Sequence, residues 1–340
     1  MATSAPPALR IGILGAANIA RSFIAGVRPS QKVTVVAVAS RDAERAAAFA
    51  RENGVAQVHR SYEALLADPA IDAIYNPLPN NLHAEWSIRA LEAGKHVLCE
   101  KPLATSAADA RAMFAAAQRH GVHLAEAYPY RAQPQTLKMR EVLAKGTVGR
   151  LQYVQASFGF PLADPKNIRF DPALAGGALM DAGCYPVSLV RTVAGERPKR
   201  VHAMARWGES GVDLTLIASI EFASGLLAQV SCSFATARHR HAFVAGDAGS
   251  IATTYFNDTS TTFPPVLDVR RGPGWDAPRE RIETMATGGF LAEAEAFRDL
   301  VVHGPERWTG ATPEESIDIA LTLEALAASA RKGITVEIAA

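Results

Sequence analysis

Long apolar runs are missing from this chain. No stretch approaches the ~18 uninterrupted apolar residues that argue for a membrane-spanning helix, so no membrane partner is expected. The opening MATSAPPALR has none of the apolar core of a secretory signal, and a cytoplasmic protein is expected. Cysteine is scarce: Cys99, Cys184 and Cys232 are scattered without a C-x-x-C pair. That argues against a disulfide framework and a cysteine-based metal site, and no metal is expected. Cys184, beside Tyr185, reads as a small buried hydrophobe. An excess of either charge is lacking too. With 35 Lys and Arg against 34 Asp and Glu, net +1, nothing points to nucleic acid as a partner. Repeats and low-complexity segments are absent, and no paired carboxylates point to glycoside hydrolysis.

What the chain has is enough length and apolar content for two cores: 340 residues, 49% apolar and 20% charged. Residues 1–127 read as one domain and 128–340 as another. Leu9–Leu14 is a short apolar strand running into Gly15-Ala16-Ala17-Asn18-Ile19-Ala20, and the Ala-rich stretch to Val27 should be helical. Strand, turn and helix form the context of a dinucleotide fingerprint, in which N–H groups at a helix N-terminus face the pyrophosphate. Ala17 and Ala20 stand where the second and third glycines would. Taken alone, the motif fits a plain βα turn equally well.

The next hundred residues strengthen it. Lys32–Ala39, Ile71–Asn76, His96–Cys99 and Val122–Ala125 read as buried strands. They alternate with helices at Asp42–Asn53, His83–Ala93 and a third that is capped by Thr105 or Ser106 and closed by Gly121. Alternation of this kind predicts an α/β domain with a doubly wound parallel sheet, a Rossmann arrangement. Ligands bind such sheets at the carboxyl ends of the strands, where Gly15, Ser40, Pro77 and Lys101 all fall. An NAD site would place an acid about 20 residues after the first glycine to hold the ribose hydroxyl. Here Ser40-Arg41-Asp42 follows the second strand. A hydroxyl with a guanidinium suits a 2′-phosphate, so NADP is favoured over NAD. The alternative is a solvated Arg41 beside an Asp42 that merely caps its helix.

From about residue 128 the pattern changes. Pro134–Lys145 is helical. Val212–Phe222 and Leu226–Phe234 then alternate polar and apolar residues around an Ala-Ser-Gly turn, an antiparallel hairpin with one buried face. Leu151–Phe160, Arg200–Trp207, Ser250–Phe256 and Val266–Arg270 are weaker strands. Helices at Gly289–His303 and from Thr312 to Lys332 and a short strand at Ile334–Ile338 complete an α+β domain on a largely antiparallel sheet.

Two segments carry the chemistry: Glu100-Lys101-Pro102 and Gly176-Gly177-Ala178-Leu179-Met180-Asp181-Ala182-Gly183-Cys184-Tyr185. On a helix, Asp181 and Tyr185 share one face. The glycine pair suits a helix start that comes close to a ligand or another backbone. Pro186 fits only where a kink or a missing bond is tolerated. An ordinary amphipathic helix with a buried Tyr meets the same pattern. Removing hydride from a carbinol carbon also requires the hydroxyl proton to leave. A phenol is a poor base at neutral pH unless a nearby ammonium favours its anion. Lys101, on the nucleotide rim, is the candidate ammonium.

These residues resemble the Gfo/Idh/MocA family of NAD(P)-dependent oxidoreductases. The resemblance is to the branch holding glucose–fructose oxidoreductase, dimeric dihydrodiol dehydrogenase and NADP-dependent xylose dehydrogenase. It rests on Gly15–Ala20, Pro77–His83, AGKHVLCEKPL at Ala93–Leu103, Tyr128–Arg131 and Gly176–Pro186. The resemblance implies Lys101 beside the nicotinamide, Tyr185 as acid/base, Asp181 orienting substrate, and a cis peptide at Pro102. It implies cofactor contacts from Gly15, Ala17, Asn18, Ile19, Ser40, Arg41, Pro77, Leu78, Asn80, His83, Glu100, Lys101 and Arg131. Tyr130, Arg169, Asp181 and Tyr185 would face a carbohydrate-like substrate. A homodimer or homotetramer packed through the second-domain sheet is also implied.

Many relatives carry a His near the end of this helix, where this chain has only Tyr185. The Ser40-Arg41 pair matches the NADP-using branch. A nucleotide-sugar 3-ketoreductase would look similar, with Arg131, Lys166 and Arg169 available for a diphosphate. A non-catalytic NADP sensor on the same fold would have had no need to keep both Lys101 and Tyr185.

Overall fold

The computed structural model describes residues 6–338, so the opening residues 1–5 read above for a signal lie outside them. In chain order the first strands and helices are β1 (Leu9–Leu14), α1 (Asn18–Val27), β2 (Val33–Ala39), α2 (Ala43–Asn53), β3 (Gln57–His59), α3 (Tyr62–Leu66), β4 (Ala73–Asn76), α4 (His83–Glu92), β5 (His96–Glu100), α5 (Ala107–His120) and β6 (Leu124–Ala127). They build a six-stranded sheet of order β3-β2-β1-β4-β5-β6 with every pairing parallel. The short β3 and α3 were not visible in the sequence; Gln57–His59 is mostly exposed and has no apolar run. Asp42 caps α2 by accepting from the Arg45 N–H, and Gly54 closes it in the left-handed region.

The chain continues through α6 (Pro134–Ala144), β7 (Leu151–Gly159), α7 (Cys184–Ala194), β8 (Pro198–Trp207), β9 (Asp213–Phe222), β10 (Leu227–Ser233), β11 (His239–Gly246), β12 (Gly249–Thr253), β13 (Val266–Arg271), β14 (Arg279–Glu283), α8 (Gly289–His303), α9 (Pro313–Lys332) and β15 (Val336–Glu337). The second sheet has nine strands, ordered β14-β13-β12-β11-β7-β10-β9-β8-β15. Only β10 and β7 run parallel; the other pairings are antiparallel, so the sheet is mixed. The fold class is the expected one: a Rossmann domain followed by an α+β domain.

The units differ from the single boundary at 127/128. The first comprises 1–103, 108–133 and 287–313; the second comprises 104–107, 134–286 and 314–340. Helix α8, read above as part of the second domain, packs in the first. Its Phe290, Ala294, Phe297 and Leu300 fall at helical spacing and join a core with Ile11, Ile13, Phe23, Val38, Phe49 and Tyr75. Phe23 stacks on Tyr75 at 3.9 Å and meets Phe290 edge-on at 6.1 Å. Burying each such side chain contributes about 1.5–3 kcal/mol, enough to decide which core α8 joins.

In the second unit, Arg191 of α7 and Arg197 both turn their Nε to Asp318 of α9, which has no exposed surface. Ser329 of α9 accepts from the Ala203 N–H of β8 and donates to the Ile334 carbonyl. One stretch among the described residues, Pro172–Ala194, is long and apolar enough to cross a membrane, but 67% of its most apolar window is buried within the protein.

Candidate active site

The nucleotide side is built on the carboxyl ends of β1, β2, β4 and β5. Gly15 follows β1 with φ +86°, and a Cβ there would lie 3.1 Å from Leu78 Cδ2, so glycine fits both the turn and the space. Helix α1 begins with Ala17 as N-cap and no side-chain cap, which leaves its first amides for a ligand. Asn18 and Ile19 are exposed on that turn. Ser40 is buried, and its hydroxyl accepts weakly, at 3.4 Å, from the Asp42 N–H. Burial pulls the Tyr62 phenol upward, and the positive charges of Arg41 and Arg45 partly oppose that pull.

Arg45, missed in the sequence, donates from Nη2 to the Ala16 carbonyl at 3.1 Å. A base in the first turn of α2 opposes the helix dipole, and that was the available signal. Two guanidinium groups, an uncapped helix start and a left-handed glycine therefore gather at one rim. Those residues fit a dinucleotide carrying an extra phosphate.

The Glu100-Lys101-Pro102 turn is held from several sides. Tyr75 Oη donates to Glu100 Oε1 at 2.6 Å, and the Leu103 N–H donates to Glu126 Oε1 at 2.9 Å. Lys101 is half-buried and its peptide to Pro102 is cis. His83 is buried with Nδ1 2.8 Å from the Pro102 carbonyl and Nε2 2.8 Å from the Leu78 carbonyl. Burial, opposed by those hydrogen bonds, brings its pKa down to about 4. His83 thus ties the Pro77-Leu78 turn to the Lys101-Pro102 turn. Pro77 and Leu78 are buried, while Asn80 is half-buried at the head of the turn before α4.

Tyr130 and Arg131 are fully buried in a short 3₁₀ turn. Behind the turn, Glu293 of α8 is 1% exposed and neither carboxyl oxygen has a hydrogen-bond partner among the described residues. Burial, and then the charge of Glu100, push its pKa well above the carboxylate range.

Of the residues expected to face substrate, Tyr130 lies in the first unit and Arg169, Asp181 and Tyr185 in the second. A Cβ at Gly176 would sit 2.4 Å from the Arg169 carbonyl oxygen. Gly177 has φ +115°, and a Cβ there would be 2.2 Å from Asp213 Oδ1. The close approach inferred from this glycine pair is therefore to protein. Asp213 of β9 accepts from the Leu179 N–H at 2.7 Å and so starts the helix from across the sheet. Leu179–Gly183 forms a π-helical turn before α7, which places Pro186 in the first turn of α7, where its missing N–H costs little.

Asp181 and Arg169 form an ion pair at 2.7 Å, so these two candidates are brought together. Tyr185 is buried; Phe158 meets its ring edge-on at 5.5 Å and the Arg240 guanidinium lies 4.0 Å from the ring centroid. Asn257 Nδ2 donates to the Tyr185 hydroxyl at 3.0 Å. Neither Arg240 nor Asn257 was found from the sequence. Among the described residues no cluster of His, Cys, Asp and Glu could hold a metal.

A Rossmann sheet with a phosphate rim, joined in one chain to a lysine turn and a helix-borne tyrosine, defines a dinucleotide-dependent oxidoreductase. The chain belongs to the Gfo/Idh/MocA family: residues 9–128 match its oxidoreductase family, NAD-binding Rossmann fold model, and residues 136–252 match its C-terminal domain model. It is 39% identical to D-xylose 1-dehydrogenase (NADP(+)) 2 of Haloferax volcanii, over 97% of this chain and 100% of that protein. It is 37% identical to trans-1,2-dihydrobenzene-1,2-diol dehydrogenase of Mus musculus, over 71% of this chain and 73% of that one. A 3-ketoreductase of Actinomadura kijaniata in complex with NADP and TDP-benzene superposes with TM-score 0.84 at 30% identity, covering 95% of this chain and 98% of that one. That relative has also been solved with one tyrosine changed to phenylalanine and with one lysine changed to alanine.

Proposed function

We propose that the protein is an NADP-dependent dehydrogenase or reductase acting on a hydroxyl or carbonyl carbon of a sugar, polyol or trans-diol. The full-length similarity to an NADP-dependent xylose dehydrogenase carries this reading, because this chain keeps both groups that would handle the proton, Lys101 and Tyr185. Bound NADP supplies the hydride acceptor, or NADPH the donor. The amides of Asn18 and Ile19, with Gly15 and Ala17, would hold its pyrophosphate; Ser40, Arg41 and Arg45 would hold its 2′-phosphate. In oxidation the Tyr185 oxygen takes the proton of the substrate hydroxyl, and in reduction it gives that proton back. Lys101 would supply the ammonium that favours phenolate and would hold the sugar of the cofactor. Asp181, held by Arg169, orients a neighbouring hydroxyl.

A diphosphate-bearing substrate is the weaker reading. Of its three candidate bases, Arg131 is buried and Arg169 is engaged with Asp181, which leaves Lys166 exposed. A screen of NADP reduction against aldoses, polyols, trans-diols and nucleotide sugars separates the two, and a protein that reduces NADP with none of them is not this enzyme. Calorimetry should show NADP bound at least tenfold tighter than NAD, about 1.4 kcal/mol. Arg41→Ala should erase most of the preference, and equal affinities in the unmodified protein would count against the phosphate assignment.

A homodimer or homotetramer through the open face of the second sheet is part of the same reading. Met204, Ile217, Leu227 and Phe243 are exposed on its strands, and concavities of about 460 and 380 Å³ lie among them. An added charge, Ile217→Glu, should dissociate the assembly in sedimentation. The cytoplasmic assignment is supported by three buried cysteines that form no disulfide, and cell fractionation checks it.

A further inference from the structure

Strand β11 brings an arginine into the core of the second unit. Arg240 is 5% exposed and its guanidinium lies over three rings: 4.0 Å from the Tyr185 centroid, 4.6 Å from Tyr255 and 4.8 Å from Phe158. The rings come from separate elements. Phe158 is opposite Arg240 in the β7–β11 register, Tyr255 follows β12 and donates to the Ser157 carbonyl at 3.0 Å, and Tyr185 is on α7. Sinking a guanidinium costs several kcal/mol of hydration, whereas Met or Leu would fill the space at no such cost. A retained buried cation therefore needs a use.

The hydrogen bonds indicate one. Arg240 Nη1 donates to Asn257 Oδ1 at 3.2 Å, and this fixes the amide so that its Nδ2 points at the Tyr185 oxygen, 3.0 Å away. The phenol is the acceptor in that contact, so its own proton is not spent on Asn257. We propose that Arg240 and Asn257 are positioning residues for Tyr185. Arg240 aligns the amide and places positive charge against the ring. Asn257 donates to the phenol oxygen, and both favour the anion that takes the substrate proton.

This proposal rests on reading Tyr185 as the acid/base. On the tyrosine's own segment, Asp181, paired with Arg169, and Cys184 precede it, and Cys232 of β10 feels Asp213 of β9, Cys184 and Asp181. Asp258 follows Asn257 in the loop. Cys232 and Asp213 are both pushed upward, burial being the largest cause. The Arg240 guanidinium is the charge that lies directly against the Tyr185 ring.

The test reads Tyr185 directly. Ultraviolet phenolate titration is run on the cofactor-free protein, and the curve of each Tyr185→Phe counterpart is subtracted from that of its tyrosine-containing parent. Arg240→Met and Asn257→Leu should each move the Tyr185 ionisation to higher pH, by about 1–3 units for the charge change. The kcat profile should move in the same direction, with KM for NADPH unchanged. Arg240→Lys, which keeps the charge without the planar fork, should recover part of the shift. Asn257 is half-buried in a loop, so Asn257→Leu decides the matter if Arg240→Met does not fold. An unmoved titration in folded variants overturns the proposal even where Tyr185→Phe abolishes turnover. If Tyr185→Phe instead retains turnover, the acid/base reading fails, and the titration still judges the Arg240–Asn257 coupling.

Discussion

Tyr185→Phe should lower kcat by about 10²–10⁴-fold on whichever sugar or diol passes the screen, the usual worth of a positioned general acid or base. Phe keeps the ring that Phe158 and Arg240 pack against and removes only the oxygen. The variant should therefore fold, losing about the 0.5–1.5 kcal/mol net worth of the Asn257 hydrogen bond. NADPH affinity by calorimetry should be unchanged, because the groups assigned to the cofactor phosphates are Ser40, Arg41, Arg45 and the start of α1. Lys101→Ala should be comparably slow, with its pH–rate profile displaced to higher pH as the ammonium no longer favours phenolate. Turnover near that of the unmodified protein in Tyr185→Phe would rule out the mechanism.

The parts of this arrangement that the sequence reveals are those written in local chemistry. Val-rich strands alternating with capped helices gave the parallel sheet because each element carries its own signal: Asp42 and Gly54 bracket α2 as their residue types require. The Glu100-Lys101-Pro102 turn was legible from its place after β5. The two-residue period of β9 and β10 revealed the hairpin, because one face is buried and the other exposed.

What escaped depends on partners distant in sequence. Strand β11 presents Arg240, Ala242 and Val244 inward, with His241 and Phe243 outward, so its first buried position is a charged residue and the outward set includes an aromatic. Periodicity discards such a segment. The cation is tolerated there because three rings from β7, α7 and the loop after β12 surround it, and no local pattern encodes that enclosure. Strand β14 escaped for the opposite reason: Arg-Glu-Arg-Ile-Glu is an exposed edge that pairs only with β13. Helix α8 shows the limit for domain boundaries. Its apolar stripe was evident, but the core that it would fill was not.

Asp318→Ala should be the most destabilising single change in the second unit. The carboxylate has no exposed surface and takes Arg191 Nε at 2.8 Å on one oxygen and Arg197 Nε on the other. Arg191 is itself only 7% exposed, so removing the acid leaves a guanidinium in the core with no water to receive it. Breaking a buried pair in this way costs about 3–5 kcal/mol, most of it the penalty of the uncompensated charge. Arg197 is 31% exposed and can turn to solvent, so Arg197→Ala should cost far less. Urea unfolding separates the outcomes. A loss below about 1 kcal/mol in Asp318→Ala would mean that the cluster is not structural. A double variant, Asp318→Leu with Arg191→Met, should recover much of the loss, because apolar groups of similar volume replace a buried pair at little cost. The activity of that double variant is informative too. Arg191 and Tyr185 share α7, so a restored fold with restored turnover would show that the cluster supports the catalytic helix through stability alone.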